Sequence, residues 1–202
     1  MLATSRTEPM VRTNGTASLG ARVKALREAG RMSLRDAAAR TGVSKSMLAK
    51  IEYGATSPTA TVLGKIAEGF GVSISHLVGE PAKPDNVIVM RTSEQPVFAV
   101  PTTGFRRRSL SPSFEGGSGV DFVANSLPPG QSSGRFPPHR PGVDETLVVA
   151  TGRLTLQLDD QSYDLEAGDS VFYRAHVSHR FDNPSVDQEV VFYIVINNTG
   201  VR

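Results

Sequence analysis

The chain of 202 residues has no cysteine, which excludes disulfides, thiolate metal sites and cysteine nucleophiles. A reducing cytoplasm is the expected setting. No apolar run approaches the ~18 residues of a membrane-spanning helix, so a membrane is not an expected partner. The N-terminal stretch MLATSRTEPMVRTNGTAS lacks the apolar core of a signal peptide, and secretion is not expected. Internal repeats and low-complexity tracts are absent too. What remains is enough chain for one large domain or two small ones.

The formal net charge of +2 hides a division. Residues 1–80 carry 11 Lys and Arg against 6 Asp and Glu, whereas residues 81–202 carry 11 against 14. A basic N-terminal half suits attraction to phosphate.

The most specific stretch is Ser33–Tyr53, SLRDAAARTGVSKSMLAKIEY. Leu34, Ala37 and Ala38, then Leu48 and Ile51, fall at helical spacings, so two short helices each gain one apolar face. Gly42 stands where the first must end, Val43 plugs the corner, and Ser44 is placed to cap the second. Lys45, Ser46 and Lys50 are left on the outer face, an arrangement that suits a major groove.

Around this unit, Ser18 opens a helix with Leu19, Val23 and Leu26 on one face and Gly30 at its end. Thr59 opens another, with Val62, Leu63, Ile66 and Phe70 aligned before Gly71. A short helix follows at SISHLV. Residues 1–17 have no periodicity and are expected to be a disordered tail. The helical domain is expected over 18–80, with PAKPD within a linker at 81–86. TGVSKSMLAKIEYG and SPTATVLGKIAEGFGVSISHLVG resemble the phage-repressor-like (XRE) helix-turn-helix family, over about residues 18–79. The resemblance implies that Lys45, Ser46 and Lys50 read base edges, that Ser44 caps the helix and meets phosphate, and that Arg35 contacts the DNA backbone.

Beyond the linker, over 87–202, the period becomes alternating. VIVM, PVFAV, GVDFVANSL, ETLVVA, RLTLQL, QSYDL, SVFYR and EVVFYIVI read as short strands separated by Gly, Pro, Asn and Asp, indicating an all-β sandwich or barrel. Arg106, Arg107 and Arg108 fall in an alternating stretch, with Arg107 on the face opposite the other two. An acidic effector, DNA or a solvated edge strand would each suit them, and the edge strand is preferred. His76, at a helix terminus, is expected to be structural.

LPPG, PHRPGVDETLVVATG and EAGDSVFY followed by His179 resemble the cupin family over about residues 120–197. The resemblance implies a double-stranded β-barrel with an internal metal or ligand site. By position, His139, Glu145 and His179 match three of the four usual metal ligands, and Pro141 replaces the remaining histidine. Three ligands can still hold Zn, Fe, Ni or Mn with open positions. A polar pocket without an obligate metal, in which the histidines hydrogen-bond an organic ligand, is the preferred expectation. Asp169 is expected to cap a turn and His176 to sit on a rim, while Gln131, Arg135 and Tyr173 are within possible reach of the pocket.

The expected molecule is α plus all-β: a five-helix repressor-like domain followed by a cupin barrel. The pairing also resembles one-component bacterial regulators. It implies a transcriptional regulator, a repressor rather than an activator, controlled by a small-molecule effector. Specificity favours a homodimer on a pseudo-palindromic double-stranded operator. The alternative is a metal-dependent cupin oxygenase, isomerase or decarboxylase fused to a DNA-binding domain. The regulator is preferred, and no enzyme activity is expected.

Overall fold

Hydroxyl side chains start the first four helices by accepting hydrogen bonds from backbone N–H groups that lack a partner inside the helix. In the computed structural model, which describes residues 18–78, 81–82, 87–114 and 119–200, Ser18 caps α1 (Leu19–Ala29). Ser33 caps α2 (Leu34–Thr41) in a reciprocal capping box with Asp36. Ser44 caps α3 (Lys45–Glu52), and Thr59 caps α4 (Ala60–Phe70). Helix α5 (Ile74–Val78) completes the helical half. The expected tail at 1–17 and most of the linker, residues 83–86, lie outside the described residues.

The α2–α3 turn depends on Gly42, whose φ of 64° is left-handed and costs a side-chain-bearing residue energy. Val43 is buried at the corner, and Thr41 Oγ1 accepts its N–H at 3.2 Å while donating to the Ala37 carbonyl at 2.8 Å. Helix α1 approaches α3 so closely that a Cβ at Gly20 would stand 2.3 Å from the Ile51 carbonyl oxygen. The same contact is clamped by Arg27, which donates to both Glu52 carboxylate oxygens at 2.8 and 2.9 Å.

The strands are β1 (Pro81–Ala82), β2 (Val97–Ala99), β3 (Arg106–Ser109), β4 (Ser113–Phe114), β5 (Val120–Leu127), β6 (Ser132–Phe136), β7 (Asp144–Thr151), β8 (Arg153–Leu158), β9 (Gln161–Glu166), β10 (Ser170–Arg174), β11 (His179–Asp182) and β12 (Val190–Asn197). One antiparallel sheet has the order β10-β7-β12-β5-β3-β2, and a second the order β6-β11-β8-β9. Along β12 the alternation is direct: Val190, Phe192, Ile194 and Ile196 are buried while the residues between them are not. The two sheets meet through inward rings such as Phe181 and Phe192, 4.9 Å between centroids. This is the double-stranded barrel.

Three local expectations fail. VIVM forms no strand, and Val87 and Val89 are exposed. The first two residues of the PAKPD segment are not free linker, because β1 pairs in parallel with β4. The third concerns the arginines. Strand β3 lies between β2 and β5 rather than at an edge, and Arg107 turns into the barrel, only 6% exposed. Strand β6 was not anticipated either, since SSGRF lacks the β-branched residues that signal a strand.

The halves touch. Thr61 Oγ1 on α4 donates to the Arg135 carbonyl on β6 at 2.6 Å. Gly64 leaves room for Pro137, and Ser109 Oγ donates to Ser75 Oγ at 3.0 Å. Buried apolar residues of the helical half and of the barrel form one continuous cluster.

Candidate functional site

Helix α3 divides cleanly by exposure. Leu48 and Ile51 are 0% and 1% exposed and hold it to the helical core, while Ser44, Lys45, Ser46 and Lys50 all face solvent. Ser44 Oγ accepts the Met47 N–H at 3.3 Å, so the first turn is fixed by a side chain that itself lies at the positive end of the helix dipole. Arg35 is exposed in the first turn of α2. Sequence reasoning passed over Met47 and Tyr53, large side chains exposed on and just after the same helix. Their apolar type pointed to the core, and only the packing shows otherwise.

Inside the barrel, His139, Glu145 and His179 converge. His139 Nε2 lies 3.1 Å and His179 Nε2 4.0 Å from Glu145 Oε1, and the two imidazoles stack at 5.4 Å. His179 and Glu145 are buried because β11 and β7 turn them inward, while His139 stands in the loop before β7, half-exposed. Tyr173 OH donates to the other Glu145 oxygen. Burial by itself would raise the Glu145 carboxyl, but His179, His139 and Tyr173 overcome it and hold the pKa at about 2. The carboxylate is therefore ionised at neutral pH. Burial lowers His179, against the pull of Glu145, and burial with the Glu145 charge raises Tyr173 well above 10, so it stays a donor.

This cluster opens on a cavity of about 590 Å³ that the helical half helps to wall. Gly64, Ala67, Glu68 and Gly71 of α4 and its end line it, together with Arg107, Asp121 and Phe181 from the barrel. Glu68 stands 3.9 Å from His139 Nδ1 and 3.6 Å from Arg140 Nε. The cavity thus belongs to both halves.

Several other sequence expectations can be placed. Asp169 caps its turn, accepting the Glu166 N–H at 2.8 Å. His176 is exposed and outside the cluster. Gln131 and Arg135 are exposed and do not line the cavity; Arg135 instead donates to Ser178 Oγ at 2.7 Å. Pro141 is exposed on the loop before β7. His76, expected to be structural, lines the cavity. Asp121 and Glu68 are charged lining residues that the sequence did not single out, and Arg107 was weighed for an acidic effector but assigned to an edge strand. For Arg107 the alternation signal existed but not its sign, and Asp121 and Glu68 carried no local signal.

The donor set fits a divalent ion. Two imidazole nitrogens and one carboxylate oxygen lie within 4.8 Å of one another, close enough to converge on a single cation bound at about 2.0–2.2 Å. Three such donors leave positions for outside ligands.

Comparison with known proteins matches the two halves separately. The Helix-turn-helix family matches residues 23–77 and the Cupin domain family residues 125–196. Over 179 residues the chain is 31% identical to the HTH-type transcriptional regulator SutR of Escherichia coli (strain K12), spanning 89% of this chain and 94% of that protein. The chain belongs to the HTH-type transcriptional regulators that carry a cupin domain. The HTH-type transcriptional regulator PuuR of the same organism is 27% identical over 174 residues, covering 82% of this chain and 88% of that one. A crystal structure of an HTH_3 family transcriptional regulator from Vibrio cholerae superposes with a TM-score of 0.70 at 26% identity, covering 89% and 94% of the two chains. As a member of this family, the protein is a DNA-binding regulator with a cupin ligand-sensing domain. Among the described residues no helix is long and apolar enough to cross a membrane.

Proposed function

We propose that the protein is a cytoplasmic repressor that binds a pseudo-palindromic operator as a homodimer and releases it when a small organic effector enters the barrel. Residues 18–80 act as the DNA-binding unit and residues 87–202 as the sensor. Lys45, Ser46 and Lys50 reach base edges, with Ser44 and Arg35 on phosphates. His139, Glu145 and His179 contact the effector. The observation that carries this reading is the shared cavity: α4, packed in the same helical core as α3, forms part of the wall facing His139. A ligand that prefers one placement of α4 has different affinities for the DNA-competent and DNA-incompetent arrangements, which is the physical requirement for control.

His139, Glu145 and His179 would hold a divalent ion, which when bound supplies a positive charge for a ligand oxygen. The regulatory reading does not require it. The second reading, a metal-dependent oxygenase, isomerase or decarboxylase, is favoured by the same triad alone. Metal analysis of purified protein followed by oxygen uptake with candidate substrates separates the two: stoichiometric iron with turnover supports the enzyme. Sequencing of DNA fragments recovered with the protein tests the leading reading. It expects enrichment of a two-fold-related motif with half-sites about 34 Å apart, and no enriched motif would contradict it.

A further inference from the structure

The sheet that carries Glu145 gives the cavity a second polar pattern. Arg107 and Asp121, 6% and 4% exposed, both line it. Arg107 Nε and Asp121 Oδ2 are buried and, among the described residues, have no hydrogen-bond partner. The pair influence each other electrostatically but are not bonded to each other. Register explains the spacing. Ile196 of β12 is the partner of Asp121 on β5 and of Glu145 on β7, so the two residues share one inward-facing row, their backbones about 10 Å apart across two strand intervals. Arg107 enters from β3, beside β5, and its guanidinium feels both negative charges without pairing to either.

Buried charges are retained where something pairs with them. A cation and an anion held side by side, unbonded, on one cavity wall are matched by a ligand that carries both complementary charges a short distance apart. A simple anion satisfies Arg107 but faces Asp121 and Glu145, and a simple amine meets Arg107. Phe181, Ile194 and Ile196 add apolar surface to the same lining, beside the polar Ser113 and Asn198, and suit a small side chain.

Resting on the reading of this cavity as the effector site, we infer that the effector is a zwitterion of the α-amino-acid type, its carboxylate on Arg107 and its ammonium toward Asp121. The guanidinium fork is suited to donate paired hydrogen bonds to a carboxylate. The net-neutral ligand leaves the charge of the cavity unchanged on binding.

Titration calorimetry on the full-length protein tests this with each standard L-amino acid, the matching acid that lacks the amino group, and the matching amine that lacks the carboxylate. At least one amino acid should bind, and its acid and amine should each bind at least about tenfold more weakly, the factor expected for losing one charge-assisted contact. Asp121→Asn, nearly isosteric, should weaken the amino acid at least about tenfold while the matched acid binds no more weakly and gains from the loss of a repelling charge. Arg107→Gln should likewise weaken the amino acid at least about tenfold, while the matched amine binds no more weakly. If Arg107→Gln does not fold, the ligand series and Asp121→Asn still decide. Failure of every amino acid to bind, or a deaminated acid binding as tightly as its parent, overturns the inference. If a different small molecule releases operator DNA in a manner abolished by His179→Gln, the effector-cavity reading stands while the zwitterion is excluded.

Discussion

The helical half and the barrel reach their functional surfaces by opposite routes. In the helical half, each functional residue is placed by neighbours a few positions away: Ser44 caps the helix that bears Lys45, Ser46 and Lys50, and Leu48 and Ile51 fix its rotation. In the barrel, no two of Arg107, Asp121, Glu145 and His179 share a strand, and only strand register brings them together. Local rules thus specify the output surface, whereas the input site exists only in the completed sheet.

The sharpest way to break this contrast is to remove the anchor of α3. Leu48→Ala should cost about 2–5 kcal/mol, as for other fully buried leucines, measured by denaturant unfolding. A loss below about 1 kcal/mol would mean that α3 is not held by its buried face. Second in size, Lys45→Ala with Lys50→Ala should lower operator affinity by at least about a hundredfold, at about 1–3 kcal/mol per base contact. Its stability should stay within about 0.5 kcal/mol of the parent, because both side chains are exposed. An unchanged footprint would place the reading surface elsewhere, Met47 and Tyr53 being the next residues to replace.

Legibility in the sequence follows the same division. Caps at Ser18, Ser44 and Thr59 and the left-handed Gly42 were readable, because each depends on residues within one turn. Most strands were readable from alternation, but not what they faced. Arg106-Arg107-Arg108 shows the problem: alternation says that Arg107 opposes its neighbours, and only the burial of Arg107 with its register partners Phe98 and Asn125 says which side is inside. VIVM has strand composition yet no partner strand among the described residues, so composition misled. Of the cavity, His139, Glu145 and His179 were found through family motifs. Glu68 was invisible because it comes from the other half of the chain, and Gly20 because the close approach of α1 to Ile51 is a tertiary contact.

Smaller effects sharpen the comparison. Arg27→Met should destabilise the protein by about 1.5–3 kcal/mol, the range for hydrogen bonds to charged groups, since it strands the largely buried Glu52 carboxylate. Thermal or denaturant unfolding reads it out, and no change would mean that α1 and α3 are joined by packing alone. Thr61→Val should cost only about 0.5–1.5 kcal/mol by deleting the bond to the Arg135 carbonyl, yet should alter the effector response, because that bond joins α4 to the barrel. A variant with normal induction would show that this contact carries no coupling. Operator affinity should also fall with rising salt, by a power that counts phosphate contacts; a flat dependence would contradict the basic half as a phosphate-binding surface.

The claim that one chain separates a DNA-reading helix from a ligand-reading barrel is tested most directly by operator occupancy in cells carrying Glu145→Gln with His179→Gln. Occupancy should persist at the parental level but no longer change under the conditions that release the parent protein. Parental release by this variant, or loss of operator binding in a variant that remains folded, would contradict it.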